Sequence, residues 1–269
     1  MKHIQAFFVA AICGVIFSFG ANAFAQSTPG YATIVRIQGE ARYSKDGKNW
    51  LPLTVGQTLT AGCVVQTAVD SSVDLVLGQR ITHHIDPTVK PIAPAPDAPV
   101  RDLTTYKAVA EQNVIKMEPG TVLAIDKLTI SDTGVDAVSD TELDLRQGTI
   151  FGNVKKLSAA SQYFIKIPNG MAAVRGTTFV ISASGAITVA QGSMVLSTVS
   201  NGQPVTVVLG PGDQYDPATG QTTHLTPEEF IEAERTAVAT ITLVEGILSF
   251  ADDTTLIYVS PVRGKNAGP

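Results

Sequence analysis

The sequence is poor in charge and has no cluster of basic residues. Charged residues make up 16% of the 269 residues, hydrophobic residues make up 44%, and the formal net charge is -5. Disordered and coiled-coil chains carry far more charge, so this composition indicates a globular protein. Binding to nucleic acid through its phosphates requires a basic face that releases counterions. The acidic balance therefore argues against a nucleic-acid partner.

Cysteine is also scarce. Cys13 lies in an apolar N-terminal segment, and the second cysteine is Cys63. If that segment is removed, Cys63 has no partner and an internal disulfide cannot form. The neighbouring Val64 and Val65 favour a buried, small hydrophobic residue over a reactive thiol. Packing rather than cross-linking must then stabilise the chain.

The first 25 residues are typical of a cleavable signal peptide. Lys2 and His3 form a short basic start, residues 4–19 are almost continuously apolar, and Ala23-Phe24-Ala25 supplies the small residues that signal peptidase requires. The apolar run is short for a bilayer core of about 30 Å, which disfavours an uncleaved anchor. We expect cleavage before Gln26, no later membrane span, and a periplasmic or secreted location.

Most of the remaining chain repeats one pattern, a short run of alternating or β-branched apolar residues that ends at a glycine turn. Such period-2 runs predict β-strands. They cover residues 73–77, 114–117, 143–145, 187–189 and 205–209. Their irregular spacing favours a stack of β-arches or a β-solenoid over a closed barrel. The predicted fold class is all-β, with a solenoid-like stacked β-arch domain over residues 26–217.

Two segments depart from this pattern. Residues 86–113 contain five prolines, which cannot donate to a sheet ladder, so an inserted loop is predicted there. Thr226 and Glu229 have the spacing of a capping box, which predicts a helix start. Pro227 supports the same start, because proline suits the first helical position. Apolar residues at spacings of three and four follow this start. We therefore expect a C-terminal helical appendage and tail over residues 218–269.

The most specific motif lies between residues 163 and 180. A strand ends in Pro168-Asn169-Gly170, and Val174-Arg175-Gly176-Thr177-Thr178-Phe179 follows after a short apolar run. Together with the Gly192 turn and the final segment Gly210-Pro211-Gly212-Asp213, this stretch resembles the core of the FecR domain family. The resemblance covers residues 31–217, interrupted by the proline-rich insert.

The resemblance implies an extracytoplasmic, mostly β domain and implies no chemistry. Founding members of the family look like transmembrane regulators of iron-uptake signalling, which hold a sigma factor in the cytoplasm and contact an outer-membrane receptor outside it. In this sequence nothing cytoplasmic precedes the apolar segment. We therefore expect a stand-alone secreted version, in which only the sensing or scaffold half of the family plan is retained.

Arg175, Gly176 and Thr177 are the candidate binding residues. Gly176 permits a positive φ or a close backbone approach, and Thr177 suits a strand edge. Arg175 could bond backbone carbonyls at a coil corner. Its guanidinium fork could instead bind the carboxylate of a partner, and the sequence leaves both alternatives open.

No catalytic residue, metal site or cofactor is predicted, because no nucleophile elbow, phosphate loop or dinucleotide fingerprint occurs. His84 and Asp86 would share one face of a strand, but two ligands do not make a metal site, and a third would have to come from elsewhere, such as His224. Glu142 and Asp144 are weak candidates for the paired acids of a glycan-cleaving enzyme.

The sequence therefore favours a non-enzymatic module for protein interaction, signal sensing or envelope scaffolding. Its expected partner is an envelope or outer-membrane protein. The alternative is an envelope polysaccharide-binding or polysaccharide-degrading β-solenoid protein. A third hypothesis is self-association through exposed ends of the β stack.

Overall fold

A computed structural model describes residues 27–79, 113–132, 137–200, 202–233 and 240. The predicted signal peptide, nearly all of the insert at 86–113, the pair His84 and Asp86, and the tail after residue 240 lie outside these residues. No helix in the described part of the chain is long and apolar enough to cross a membrane.

The described residues form a mostly β-sheet structure, which confirms the predicted class at this level. Period-2 burial is clear in many strands, so hydrophobic side chains point alternately to a core. The strands are β1 Ser27–Pro29, β2 Tyr31–Gln38, β3 Ala41–Ser44, β4 Leu51–Pro52, β5 Thr58–Leu59, β6 Val64–Thr67, β7 Ser72–Gly78, β8 Asn113–Met117, β9 Val122–Asp132, β10 Ala137–Gln147, β11 Thr149–Asn153, β12 Gln162–Ile167, β13 Gly170–Ser182, β14 Ile187–Ser200, β15 Gln203–Leu209, β16 Asp213–Asp216 and β17 Gln221–His224.

The long hairpin of β13 and β14 joins two branches of the sheet. The first half of β13 pairs with β12, and the first branch continues through β10, β9, β6, β3 and β4. The second half of β13 pairs with β11, and the second branch continues through β8, β7, β2 and β5. On the far side of β14, β15 extends the first branch and β16 extends the second.

Both branches contribute to one hydrophobic core. Leu75 and Ile115 from the second branch and Leu143 and Ile165 from the first belong to the same buried cluster, so the sheet curls around it. Cys63 is free and only 2% exposed within this cluster, which confirms the prediction of a buried cysteine.

The solenoid-like part of the predicted fold class is not confirmed. Among the strand pairs of the described residues, β10 with β12 is parallel and the others are antiparallel, whereas the coils of a regular solenoid stack in parallel. The prediction that Gly192 ends a strand is wrong. β14 runs through Gly192, which has a φ of 79° and sits at a bulge in the ladder with β13.

The predicted helix start is confirmed. A helix begins at residue 227 and is described to residue 233. The Thr226 amide donates to Oε2 of Glu229 at 2.9 Å, and the Glu229 amide points back to Oγ1 of Thr226 at 3.4 Å. These two contacts form the reciprocal capping box expected from the sequence.

Candidate interaction surface

The Val-Arg-Gly-Thr-Thr-Phe motif lies where β13 changes branch. Residues 170–173 pair with β12, and residues 178–182 pair with β11. Gly176 between them has a φ of 64°, a backbone conformation that favours glycine. The register with β14 also shifts between Arg175 and Thr178. The motif is therefore the crossing point at which one strand leaves the first branch and enters the second.

Close backbone contact and two threonine hydroxyls hold this crossing in place. A Cβ on Gly192 would lie 2.0 Å from the carbonyl oxygen of Gly176, so the two backbones touch. Thr177 Oγ1 donates to the Ser193 carbonyl at 2.5 Å, and Thr178 Oγ1 donates to Asn153 Oδ1 at 3.0 Å. Thr177 is buried, so its side chain stabilises the crossing rather than facing solvent.

Of the three predicted binding residues, Arg175 alone is exposed. Within the described residues its guanidinium forms no hydrogen bond and no ion pair, so the alternative in which it bonds carbonyls at a corner is not observed. The guanidinium fork is consequently available to a carboxylate from outside the chain. A binding role for Arg175, Gly176 and Thr177 stays a prediction.

An apolar row runs beside Arg175 on the solvent side of the first branch, which we call the outer face. Cross-strand partners share a face, and the register aligns Phe164 with Ala173, Ala173 with Val195, and Val195 with Val208. Val195 is 39% exposed and Val208 is 69% exposed. Arg175 lies two residues beyond Ala173 on β13 and therefore on the same face.

The other half of the outer face is charged. Lys166 contacts Glu142 and lies 3.2 Å from Oδ2 of Asp126. Hydrogen bonds to these two carboxylates raise the pKa of Lys166 above its usual value, and the bond to Glu142 has the larger effect. Lys127 likewise pairs with Asp140. The acidic and basic side chains of β9, β10 and β12 thus neutralise one another, whereas Arg175 forms no ion pair within the described residues.

The candidate acid pair does not form a pair of free carboxylates. Glu142 and Asp144 both face outward on β10, but Glu142 contacts Lys166, and Asp144 accepts a hydrogen bond from Nε of Arg146 at 2.7 Å. His224, considered as a third metal ligand, instead lies 3.0 Å from Asp213. Within the described ranges, no group of three or more His, Cys, Asp or Glu side chains is placed to hold a metal ion.

A separate surface depression of about 670 Å³ surrounds Trp50, the one tryptophan of the chain. The Arg42 guanidinium lies over the Trp50 ring, 4.7 Å from its centroid. Gln66 Oε1 accepts hydrogen bonds from Nε and Nη2 of Arg42 at 2.9 and 2.8 Å, which holds the guanidinium in place. Leu51, 51% exposed, also lines the depression. The sequence does not reveal this group, because its members come from three strands and a loop.

A family model matches this chain. It is described as FecR protein and matches residues 103–202, which confirms the resemblance to the FecR domain family. The matched range is shorter than the predicted range of 31–217. It contains β8 to β14, and hence the crossing motif and most of the outer face.

Among solved structures, two crystal structures of a candidate anti-sigma factor from Parabacteroides distasonis ATCC 8503 are similar to this chain. Each is 16% identical, with TM-scores of 0.33 and 0.32, and the alignment covers 44% of this chain. The match spans 54% of the length of those proteins. No curated protein matches the chain.

Proposed function

We propose that this protein, in which residues 103–202 match the FecR family, is a non-enzymatic extracytoplasmic module that binds an envelope or outer-membrane protein. The family match supports a regulatory signalling role. The predicted signal peptide, with its Ala23-Phe24-Ala25 cleavage motif, supports a location outside the cytoplasm. Interaction or sensing, rather than chemistry, is the function that this combination favours.

The observation that carries the proposal is the exposed guanidinium of Arg175 beside an apolar row. Protein interfaces combine an apolar centre with a few polar groups that fix orientation, and arginine is enriched in them. Here Val195 and Val208 supply the exposed apolar surface. Arg175 supplies an unneutralised charge with the planar geometry that binds a carboxylate through two hydrogen bonds. The proposed contact is therefore an acidic side chain flanked by apolar residues on the partner.

An affinity experiment tests this assignment. Purified protein is crosslinked to an envelope extract of the source cells, and the captured proteins are quantified by mass spectrometry for three forms: unsubstituted, Arg175→Ala and Arg146→Ala. Arg146 is a matched control, because it is also exposed on a strand but already pairs with Asp144. Charge-assisted hydrogen bonds contribute about 1.5–3 kcal/mol, so Arg175→Ala should reduce capture of the true partner about tenfold or more.

The proposal requires one envelope protein whose recovery falls with Arg175→Ala and is unchanged with Arg146→Ala. If every captured protein is recovered equally from both variants, Arg175 is not the contact and the proposed surface is wrong. Circular dichroism of both variants checks that the fold is intact.

The Trp50 depression favours saccharide binding as a second candidate function. An aromatic ring beside fixed polar donors suits a sugar ring, whose faces are apolar and whose edges carry hydroxyl groups. Because Trp50 is the one tryptophan, intrinsic tryptophan fluorescence reports on this depression alone. Soluble peptidoglycan fragments should shift or quench that emission in a saturable manner, whereas dextran should not. An unchanged emission at all fragment concentrations excludes binding at this place.

A further inference from the structure

Strand β15 is an exposed edge of the first branch. Residues 203–209 of β15 pair with residues 194–200 of β14, and within the described part of the chain no strand forms a register on the other side. Its outward side chains are exposed, and Val208 reaches 69% exposure. An edge of this kind presents free backbone donors and acceptors to a further strand.

The register identifies which backbone groups face outward. The Val199 amide donates to the Asn169 carbonyl at 3.2 Å, so the backbone of Val199 points toward β13. Val199 and its partner Pro204 are therefore a pair without mutual hydrogen bonds in the ladder of β14 and β15. Because antiparallel ladders alternate, Thr206 and Val208 direct both backbone groups to the free edge, and Pro204 directs its carbonyl there.

We propose that β15 is the contact between two copies of this chain, paired antiparallel about a two-fold axis at Thr206. In this register Thr206 faces Thr206 of the partner subunit. Pro204 faces Val208 of the partner subunit, and by symmetry Val208 faces Pro204 of the partner subunit. The sheet of the first branch then continues from one copy into the other.

The positions of proline and threonine make this register self-complementary. The two Thr206 residues exchange both hydrogen bonds, and the Val208 amide donates to the carbonyl of Pro204 of the partner subunit. Pro204 has no amide hydrogen, so the carbonyl of the opposing Val208 receives no bond and each of these pairs contributes one hydrogen bond where a full pair has two. An axis on Pro204 would bring two prolines together without any bond between them. An axis on Val208 would place Thr206 opposite Gly210, whose amide is already bonded to Asp213 at 2.8 Å.

Side chains and charge support the same contact. Val195 is 39% exposed and Val199 is 58% exposed on the face beside β15. In the dimer the row formed by Val195 and Val208 continues into Pro204 and Val199 of the partner subunit. Residues 193–209 contain no charged side chain, although the chain carries a formal net charge of -5. Two copies can therefore approach here without repulsion between like charges at the contact.

The size of the contact sets its strength. One strand and its flanking valines bury less than about 1,200 Å², the range of weak and transient interfaces, so the dimer should form only at high protein concentration. A two-fold contact uses each edge once and closes on itself, so growth into fibres is not expected. This inference does not depend on the role of Arg175 in partner binding.

Cysteine crosslinking tests the register. Two strands in a hydrogen-bonded antiparallel pair place their Cα atoms about 5.5 Å apart, within the range of a disulfide. Thr206→Cys should form a disulfide-linked dimer at least about tenfold faster than Ser197→Cys, which is exposed on the same face but would lie about 14 Å from its copy. The unsubstituted protein, whose Cys63 is free and buried, supplies the background. Equal crosslinking rates for the two variants would overturn the proposal.

Analytical ultracentrifugation provides the second measurement. The unsubstituted protein should show a concentration-dependent dimer, and Thr206→Lys should remain monomeric because it places two lysines directly opposite each other at the two-fold axis. Val69→Lys is the matched control, since Val69 is 79% exposed and lies away from β15. The idea fails if the unsubstituted protein stays monomeric at every concentration, or if both lysine variants dimerise equally.

Discussion

Replacement of Gly192 by alanine should destabilise the protein strongly, because two separate costs meet at this residue. The first is conformational: Gly192 has a φ of 79°, and a side chain in this region costs about 1–2 kcal/mol. The second is steric: the added Cβ would lie 2.0 Å from the Gly176 carbonyl oxygen and 2.9 Å from Cα of Thr177. Both atoms belong to backbone, so no side chain can rotate away to make room.

The steric cost can be measured separately with a matched glycine. Gly56 has a φ of 82°, and a Cβ there would meet nothing within 4 Å. Gly56→Ala should therefore carry the conformational cost alone. Overpacking typically costs about 1–3 kcal/mol, so Gly192→Ala should exceed Gly56→Ala by about 2 kcal/mol. For a chain of this size such a difference lowers Tm by about 4–8 °C.

Thermal and urea unfolding, followed by far-UV circular dichroism, give the comparison. Both variants are measured in the same buffer beside the unsubstituted protein. An equal loss of stability in Gly192→Ala and Gly56→Ala would refute the conclusion that the crossing depends on contact between the backbones of Gly176 and Gly192.

Three further substitutions test the packing around this framework. Thr177→Val keeps the side-chain shape but removes the hydroxyl that bonds to Ser193, so urea unfolding should show a loss of about 1 kcal/mol; an unchanged midpoint would contradict this. Tyr163→Phe should be neutral or stabilising by up to about 1 kcal/mol, because the Tyr163 hydroxyl is buried without a hydrogen-bond partner among the described residues; a clear loss of Tm would show that the hydroxyl is bonded. Burial raises the pKa of Asp74 above its usual value of 3.8, and Arg36, at 2.6 Å, opposes that rise. A carboxyl with a raised pKa in the folded state contributes stability below pH 3.8, and this contribution is lost as the pH rises through the folded pKa. Arg36→Met removes the opposing charge, so it should cost about 3 kcal/mol at about pH 7 and less at about pH 4, whereas an equal cost at both pH values would exclude this role of the ion pair.

Local features of the fold were predictable from the sequence because they depend on residues close together in the chain. The period-2 runs at 73–77 and 205–209 became β7 and β15. In β15 exposure alternates along the strand, as expected for one face against a core, whereas β7 is buried on both faces. Thr226 and Glu229 formed the predicted capping box for a similar reason, because both partners lie within one helical turn. The motif around Arg175, specific in the sequence, coincides with the crossing between the two branches.

The roles within that motif were less predictable. The sequence groups Gly176 and Thr177 with Arg175 as candidate binding residues, yet the structure places Thr177 in the interior, bonded to Ser193. The sequence could not distinguish these roles, because the partner of Thr177 comes from the following strand. The sequence likewise predicts a turn at Gly192, because a glycine with positive φ ends a strand in one context and forms a bulge in another.

The sequence by itself determined which residues are apolar, where the strands alternate and where the helix begins, because propensity and periodicity act over a few residues. Only the tertiary structure decided which strands are neighbours. Phe164, Ala173, Val195 and Val208 form one row because of the cross-strand register, and bulges such as the one at Gly176 shift that register. A shift of one residue turns every side chain of a strand to the opposite face, so the exposed row and the free edge of β15 follow from long-range pairing rather than from local pattern.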